Sequence, residues 1–195
     1  MKNTRYLVVS GVLLTCSIIL GYVESLFPQF IPIPGAKIGL SNIITLLSFN
    51  LLSPLAAFFI LISRIIITGI LFGTPISIIY SLSGGILSYI VMFALLKFNK
   101  KDKHSLIFIS ILGAVSHNSG QLITAAFIMK APNIIIYYLP FLILLAIPAG
   151  LVVGVVSGAV LRYLPESLLT EKKSGPPPDE KSERPKDDTD NQKTA

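Results

Sequence analysis

Apolar residues run in long uncharged stretches along most of this chain, and the polar positions that interrupt them mark where helices should start and stop. The first such stretch covers 6–23, with Lys2 and Arg5 before it and Glu24 after it. The next covers 38–63 and is divided by Pro54. Proline fixes its own φ and disfavours helix at the residue before it, so the division predicts a short helix over 39–52 and a longer one over 54–72. Gly73, Thr74 and Pro75 predict a tight turn into a helix over 75–96. Residues 105–129 form the following apolar stretch, Pro132 and Asn133 mark a turn, and 137–163 form the last, with Pro140 near its start and Pro148 predicted to kink it. A hydrocarbon core of ~30 Å takes about 20 apolar helical residues. The piece at 39–52 is short for that. It reads either as a tilted partial span or as a helix whose N-terminus begins inside the membrane. The fold class expected is all-α, a polytopic six-transmembrane-helix bundle with a proline-rich loop over 31–42 and a short second helix.

Composition agrees with a membrane chain: 52% of its 195 residues are hydrophobic and 13% are charged, with mean hydropathy +0.74. The 6–23 stretch resembles a signal peptide, but it is long for an h-region and no small-x-small cleavage site follows, so it is read as the first span. Residues 1–165 carry ten Lys/Arg against two acids, Glu24 and Asp102, a formal +8. Lys97, Lys100, Lys101 and Lys103 form the densest basic cluster between spans. With the N-terminus inside, six spans place that cluster and Arg162 on the cytoplasmic side, as the positive-inside rule requires, and leave Lys37 and Lys130 outside. Residues 166–195, with six basic and eight acidic side chains around Gly175-Pro176-Pro177-Pro178, are expected to be a disordered cytoplasmic tail apart from the 1–165 membrane domain. Membrane lipid is one expected partner. Nucleic acid is not, because no soluble basic face exists to bind it.

The chemistry available is sparse. Cys16 is the lone cysteine, so neither a disulfide nor a cysteine metal site is expected, and the Asp187-Asp188-Thr189-Asp190 cluster has no predicted helix to hold its carboxylates together. No cofactor motif is present, and the chain lacks a phosphate-binding Walker loop. Within the spans, charged or strongly polar groups are costly and mark sites or partners. Arg64 falls near the middle of its helix. His117, Asn118 and Gln121 share one broad face of the fifth, Asn42 opens the second and Glu24 closes the first. Ser41 and Asn42 suit a helix start, where Lys37 in the rigid proline loop could make an anion site or merely reach the headgroups. All of these groups lie between midplane and outer surface, above an inner half expected to be almost purely apolar. The pattern points to a pocket opening outward, lined by Lys37, Asn42, Arg64, His117, Asn118, Gln121 and Glu24. Two cations against one acid suit a small anionic or phosphate-bearing ligand. A structural alternative stays open, with Arg64 paired to Glu24 and the amides bonding between helices. His117 has no evident nucleophile or second acid beside it, so catalysis is not expected. Ala146, Gly150, Gly154 and Gly158 form a small-residue seam that could face either a neighbouring helix or a partner protein. Ser17 and Gly21 repeat that pattern on the first span, and Gly84 and Gly85 offer a close contact on the fourth.

Four motifs in order, PGAKIGLSNIITLL, RIIITGILFGTP, YSLSGGILS and GAVSHNSGQL, resemble the bacterial family of Gx transporters, also described as heptaprenyl diphosphate synthase component I. The resemblance covers roughly 5–163. The family is similar in size and span number to the substrate-capturing S components of energy-coupling factor transporters. The resemblance implies a six-helix fold in a bacterial cell membrane and a small-molecule ligand without giving its identity, with a phosphate-bearing or isoprenoid molecule left open. Without a Walker loop, ATP-driven transport would need separate energising subunits. Prenyl chain elongation needs aspartate-rich helices to hold Mg²⁺, and the membrane body has only Asp102. Under the synthase name the chain would be a non-catalytic accessory subunit of isoprenoid or quinone synthesis. Three readings follow: a substrate-binding transport subunit, that accessory subunit, and a structural subunit of another membrane complex.

Overall fold

A computed structural model describes residues 2–26, 39–98 and 103–164. Lys37, most of the proline-rich loop, two lysines of the basic cluster and the tail lie outside the described residues. Among those described there are six helices: α1 (Lys2–Leu26), α2 (Asn42–Leu51), α3 (Pro54–Phe72), α4 (Pro75–Phe98), α5 (Lys103–Ile128) and α6 (Asn133–Tyr163). Five are long and apolar enough to cross a membrane, and α2 is not. At ten residues α2 is only ~15 Å long.

Local chemistry sets the helix starts. Ser53 caps α3, its Oγ accepting from the Ala56 N–H at 3.2 Å, and Pro54 follows at the position where its missing N–H costs nothing. Thr74 and Ser77 form a reciprocal capping box at α4, each backbone N–H bonding the other's hydroxyl at 3.0 and 3.2 Å. Between α5 and α6 the chain turns in a Schellman motif. Ala131 N–H reaches the Ala126 carbonyl at 3.0 Å and Lys130 N–H reaches Phe127 at 3.3 Å. Lys130 occupies the left-handed position of that motif, at φ 52°. The last helix starts at Asn133, four residues earlier than its pattern predicts, because Pro132 makes the entry and Ile134, Ile135 and Tyr138 already pack on Tyr80 and Leu142. It continues through both Pro140 and Pro148.

The arrangement is five long helices around a short one. Every residue of α2 from Asn42 to Phe49 is buried, and α2 touches each of the other five helices. A helix apolar all round is a core helix. One side of α2 packs Ile43, Ile44 and Leu47 against Leu13, Ile60 and Val153. The other packs Leu46 and Phe49 against Ala57, Met92 and Ile109. The long helices expose their apolar outer faces, Phe59, Ile70, Phe127, Ile136 and Leu144 among them, as a bilayer-embedded bundle must.

Gly150 and Gly154 of the α6 small-residue seam face inward, while a Cβ on Gly158 would meet nothing within 4 Å. A Cβ on Gly150 would lie 2.5 Å from Ile111 Cα, and one on Gly154 would lie 2.7 Å from Ile107 Cα, so the seam is the α5–α6 contact. Gly120 and Gly84 bring α4 and α5 together in the same way, with a Cβ on Gly120 2.9 Å from Gly84 Cα.

The two ends of the described chain lie at one end of the bundle. Tyr6 and Ser53 share a hydroxyl hydrogen bond of 2.9 Å, so α1 and α3 start together. Tyr89 of α4 donates to the Pro54 carbonyl at 2.8 Å. Tyr6, Leu52, Val160 and Leu164 line one apolar groove of about 220 Å³. At the opposite end the rings of Tyr22 and Phe72 lie 4.7 Å apart. Although too short to be a span by itself, α2 carries the chain from the level of Glu24 back to that of Tyr6. This preserves the parity of a six-pass chain.

Candidate functional site

Glu24 sits in the last turn of α1 and is buried to 6% exposure. Its carboxylate accepts two bonds from the segment leading into α2, one from the Gly39 N–H and one, at 3.4 Å, from the Ser41 hydroxyl. Gly39 adopts φ +84°, a left-handed conformation that glycine takes without strain. Arg64, ten residues after Pro54 in α3 and also 6% exposed, donates through Nη1 to the same Ser41 hydroxyl. The acid and the cation therefore meet through Ser41. Thr68, one turn further along α3, donates to the Arg64 carbonyl at 2.8 Å and lies against Gly21 of α1.

The start of α2 differs from its sequence reading. Ser41 makes no side-chain cap, since its oxygen is taken by Arg64. The N–H groups of Asn42, Ile43 and Ile44 bond instead to the carbonyls of Gly39, Leu40 and Ser41 at 2.9–3.2 Å. Those amides are not open to an anion, so the positive group at this point of the bundle is the Arg64 guanidinium. Asn42 follows Ser41 directly and is buried, and its amide nitrogen folds back to 3.0 Å from where a Cβ of Gly39 would stand.

The second polar group lies across α4. A Cβ on Gly84 would lie 2.6 Å from the His117 carbonyl oxygen and 2.8 Å from Gln121 Cγ. A Cβ on the next residue, Gly85, would lie 2.9 Å from Ile65 and 3.4 Å from Leu61. The turn of α3 that carries Arg64 and the turn of α5 that carries His117 and Gln121 thus flank the same glycine pair, at one level of the bundle. Asn118 points elsewhere, donating to the Leu142 carbonyl of α6 at 3.3 Å, which makes it a helix-to-helix bond.

Several buried polar atoms here have no hydrogen-bond partner among the described residues: Arg64 Nε and Nη2, both amide atoms of Asn42, and both of Gln121. Leaving such groups unsatisfied costs about 1–3 kcal/mol each, more for a charged one. Of the expected residues, then, Glu24, Asn42 and Arg64 are brought into one cluster, and His117 and Gln121 lie level with it across α4. Lys37 falls outside the described residues. Ser41, the link between the two charges, was missed as a site residue because serine before an apolar run reads as a cap. The expectation of an almost purely apolar inner half is corrected by Ser48, Ser88, Ser110 and Ser157, all buried to 2% or less. Serine is small enough to sit inside a closely packed helical seam without marking the apolar pattern.

No curated protein and no solved structure matches the chain. A family model described as heptaprenyl diphosphate synthase component I matches residues 13–160.

Proposed function

The chain belongs to the heptaprenyl diphosphate synthase component I family, and we propose that it acts as a membrane-embedded binding subunit that captures a small anionic molecule. The observation that carries this reading is the Arg64 cluster: a buried cation with donors to spare, beside buried amides of Asn42 and Gln121 that also lack partners among the described residues. A bundle built only for stability would have replaced these groups with apolar ones at little loss. In this reading Arg64 is the deep cation, Lys37 the rim cation, and Glu24 the acid that fixes Ser41 and Gly39. His117 and Gln121 close the far side of the pocket, and Asn118 holds α6 to that wall. The pocket opens at the Glu24 end of the bundle. With both termini cytoplasmic, that end faces outward, and transport would need separate energising subunits.

The family description favours a second reading. A chain described as component I of a synthase would work beside a catalytic component, with this chain contributing no catalysis and the polar cluster holding a substrate or product headgroup. Mass spectrometry of the protein purified in its native lipid separates the readings. A retained anionic small molecule without a protein partner supports capture for transport. Stable co-purification with a soluble prenyl synthase supports the accessory role. An empty protein with neither overturns the binding reading.

A further inference from the structure

The guanidinium of arginine has two edges that can each grip a pair of oxygens, one formed by its two terminal nitrogens and one formed by Nε–H and the neighbouring Nη2–H. In Arg64, Nη1 is held by Ser41, so only one nitrogen of the terminal edge is engaged. The side edge, Nε and Nη2, is buried and has no partner among the described residues. Glu24 does not fill it: its carboxylate is turned to the Gly39 N–H and the Ser41 hydroxyl instead. Asn42, the residue after Ser41, brings into the same cluster an amide with both atoms unpartnered among the described residues.

We propose that Arg64 receives its ligand side-on, with Nε–H and Nη2–H donating in parallel to two oxygens of one carboxylate or phosphoryl group and Asn42 as the adjoining contact. This rests on the reading of the cluster as a ligand site. The geometry demands more than negative charge: a ligand must offer two oxygens about as far apart as the two parallel N–H groups. A halide or a neutral alcohol meets only half of that demand. Ser41 and Glu24 set the rotation of the guanidinium by fixing Nη1, so they are positioning residues.

The full-length protein in phosphatidylcholine nanodiscs is titrated with inorganic pyrophosphate and with succinate. In parallel it is compared in nanodiscs containing phosphatidic acid, to separate a soluble oxyanion from a lipid headgroup. The expected result is thermal stabilisation by at least one of these. Arg64→Lys, which keeps the charge but has no side edge, should weaken that probe about tenfold or more, the scale of a hydrogen bond to a charged group. Equal affinity in Arg64→Lys overturns the side-on geometry while leaving a binding site in place. Stabilisation by none of the three probes also overturns it, and if a molecule is nevertheless retained on purification, the binding reading survives alone. Should Arg64→Lys fail to fold, a protein with Arg5, Arg162 and Arg184 replaced by lysine leaves Arg64 as the one arginine. Its single Nε–H resonance should then move downfield on adding the effective probe. An unmoved resonance refutes the proposal.

Discussion

Replacing both Glu24 and Arg64 should harm the fold no more than replacing either one alone. Each is 94% buried, and each is the other's counter-charge through Ser41. Glu24→Gln keeps an oxygen for the Gly39 N–H but leaves a guanidinium inside the bundle without a compensating charge. Arg64→Gln leaves the carboxylate in the same position. Breaking a buried pair by removing one partner costs about 3–5 kcal/mol, and the intervening hydroxyl argues for the lower end, about 3 kcal/mol for either variant. At about 2–4 °C per kcal/mol for a chain of this length, each single variant should unfold roughly 6–12 °C below wild type. In Glu24→Gln/Arg64→Gln neither charge remains and both amides can bond Ser41. The double variant should therefore cost about as much as one single variant, a coupling of about 2–3 kcal/mol. The assay is thermal unfolding of all three variants in identical nanodiscs without added ligand. Additive losses, or single variants as stable as wild type, would refute the electrostatic link.

Gly150→Ala should destabilise by about 1–3 kcal/mol in the same assay, because its Cβ would meet Ile111 and Ser110 backbone atoms that cannot swing aside. Gly158→Ala, on the same helix with nothing within 4 Å, should be neutral or stabilise by about 0.5–1 kcal/mol. Lys130→Gly should raise stability by about 1 kcal/mol, since glycine takes the left-handed position without clash. In a Cys16→Ser background, cysteines placed at positions 100 and 180 should react only with reagent inside sealed cells, and one at 31 only from outside. External labelling at 100 would reverse the topology.

The helices were legible because proline and glycine punctuate the apolar runs: α3 and α4 start at Pro54 and Pro75 as expected, and the structure adds the caps at Ser53 and Thr74. Length gave away that 39–52 was unusual. That it is the buried axis of the bundle was not readable, because a run apolar on all sides looks the same whether it faces lipid or other helices. The same ambiguity hid the direction of the α6 seam until Ile107 and Ile111 were seen against it. Arg64 and Glu24 stood out as rare intramembrane charges, whereas Ser41 did not, since its role depends on two helices meeting over it. Asn118 shared a helical face with Gln121 in sequence, yet only contact with Leu142 tells which neighbour it serves.

An experimental density map of the protein purified in native lipid, without added ligand, would show whether the Arg64 cluster holds a molecule. Non-protein density is expected in the cluster of α1, α2 and α3, within hydrogen-bond distance of Arg64 Nε and Nη2 and beside the Asn42 amide. A map in which protein groups satisfy those two nitrogens, with no density against them, would contradict that expectation.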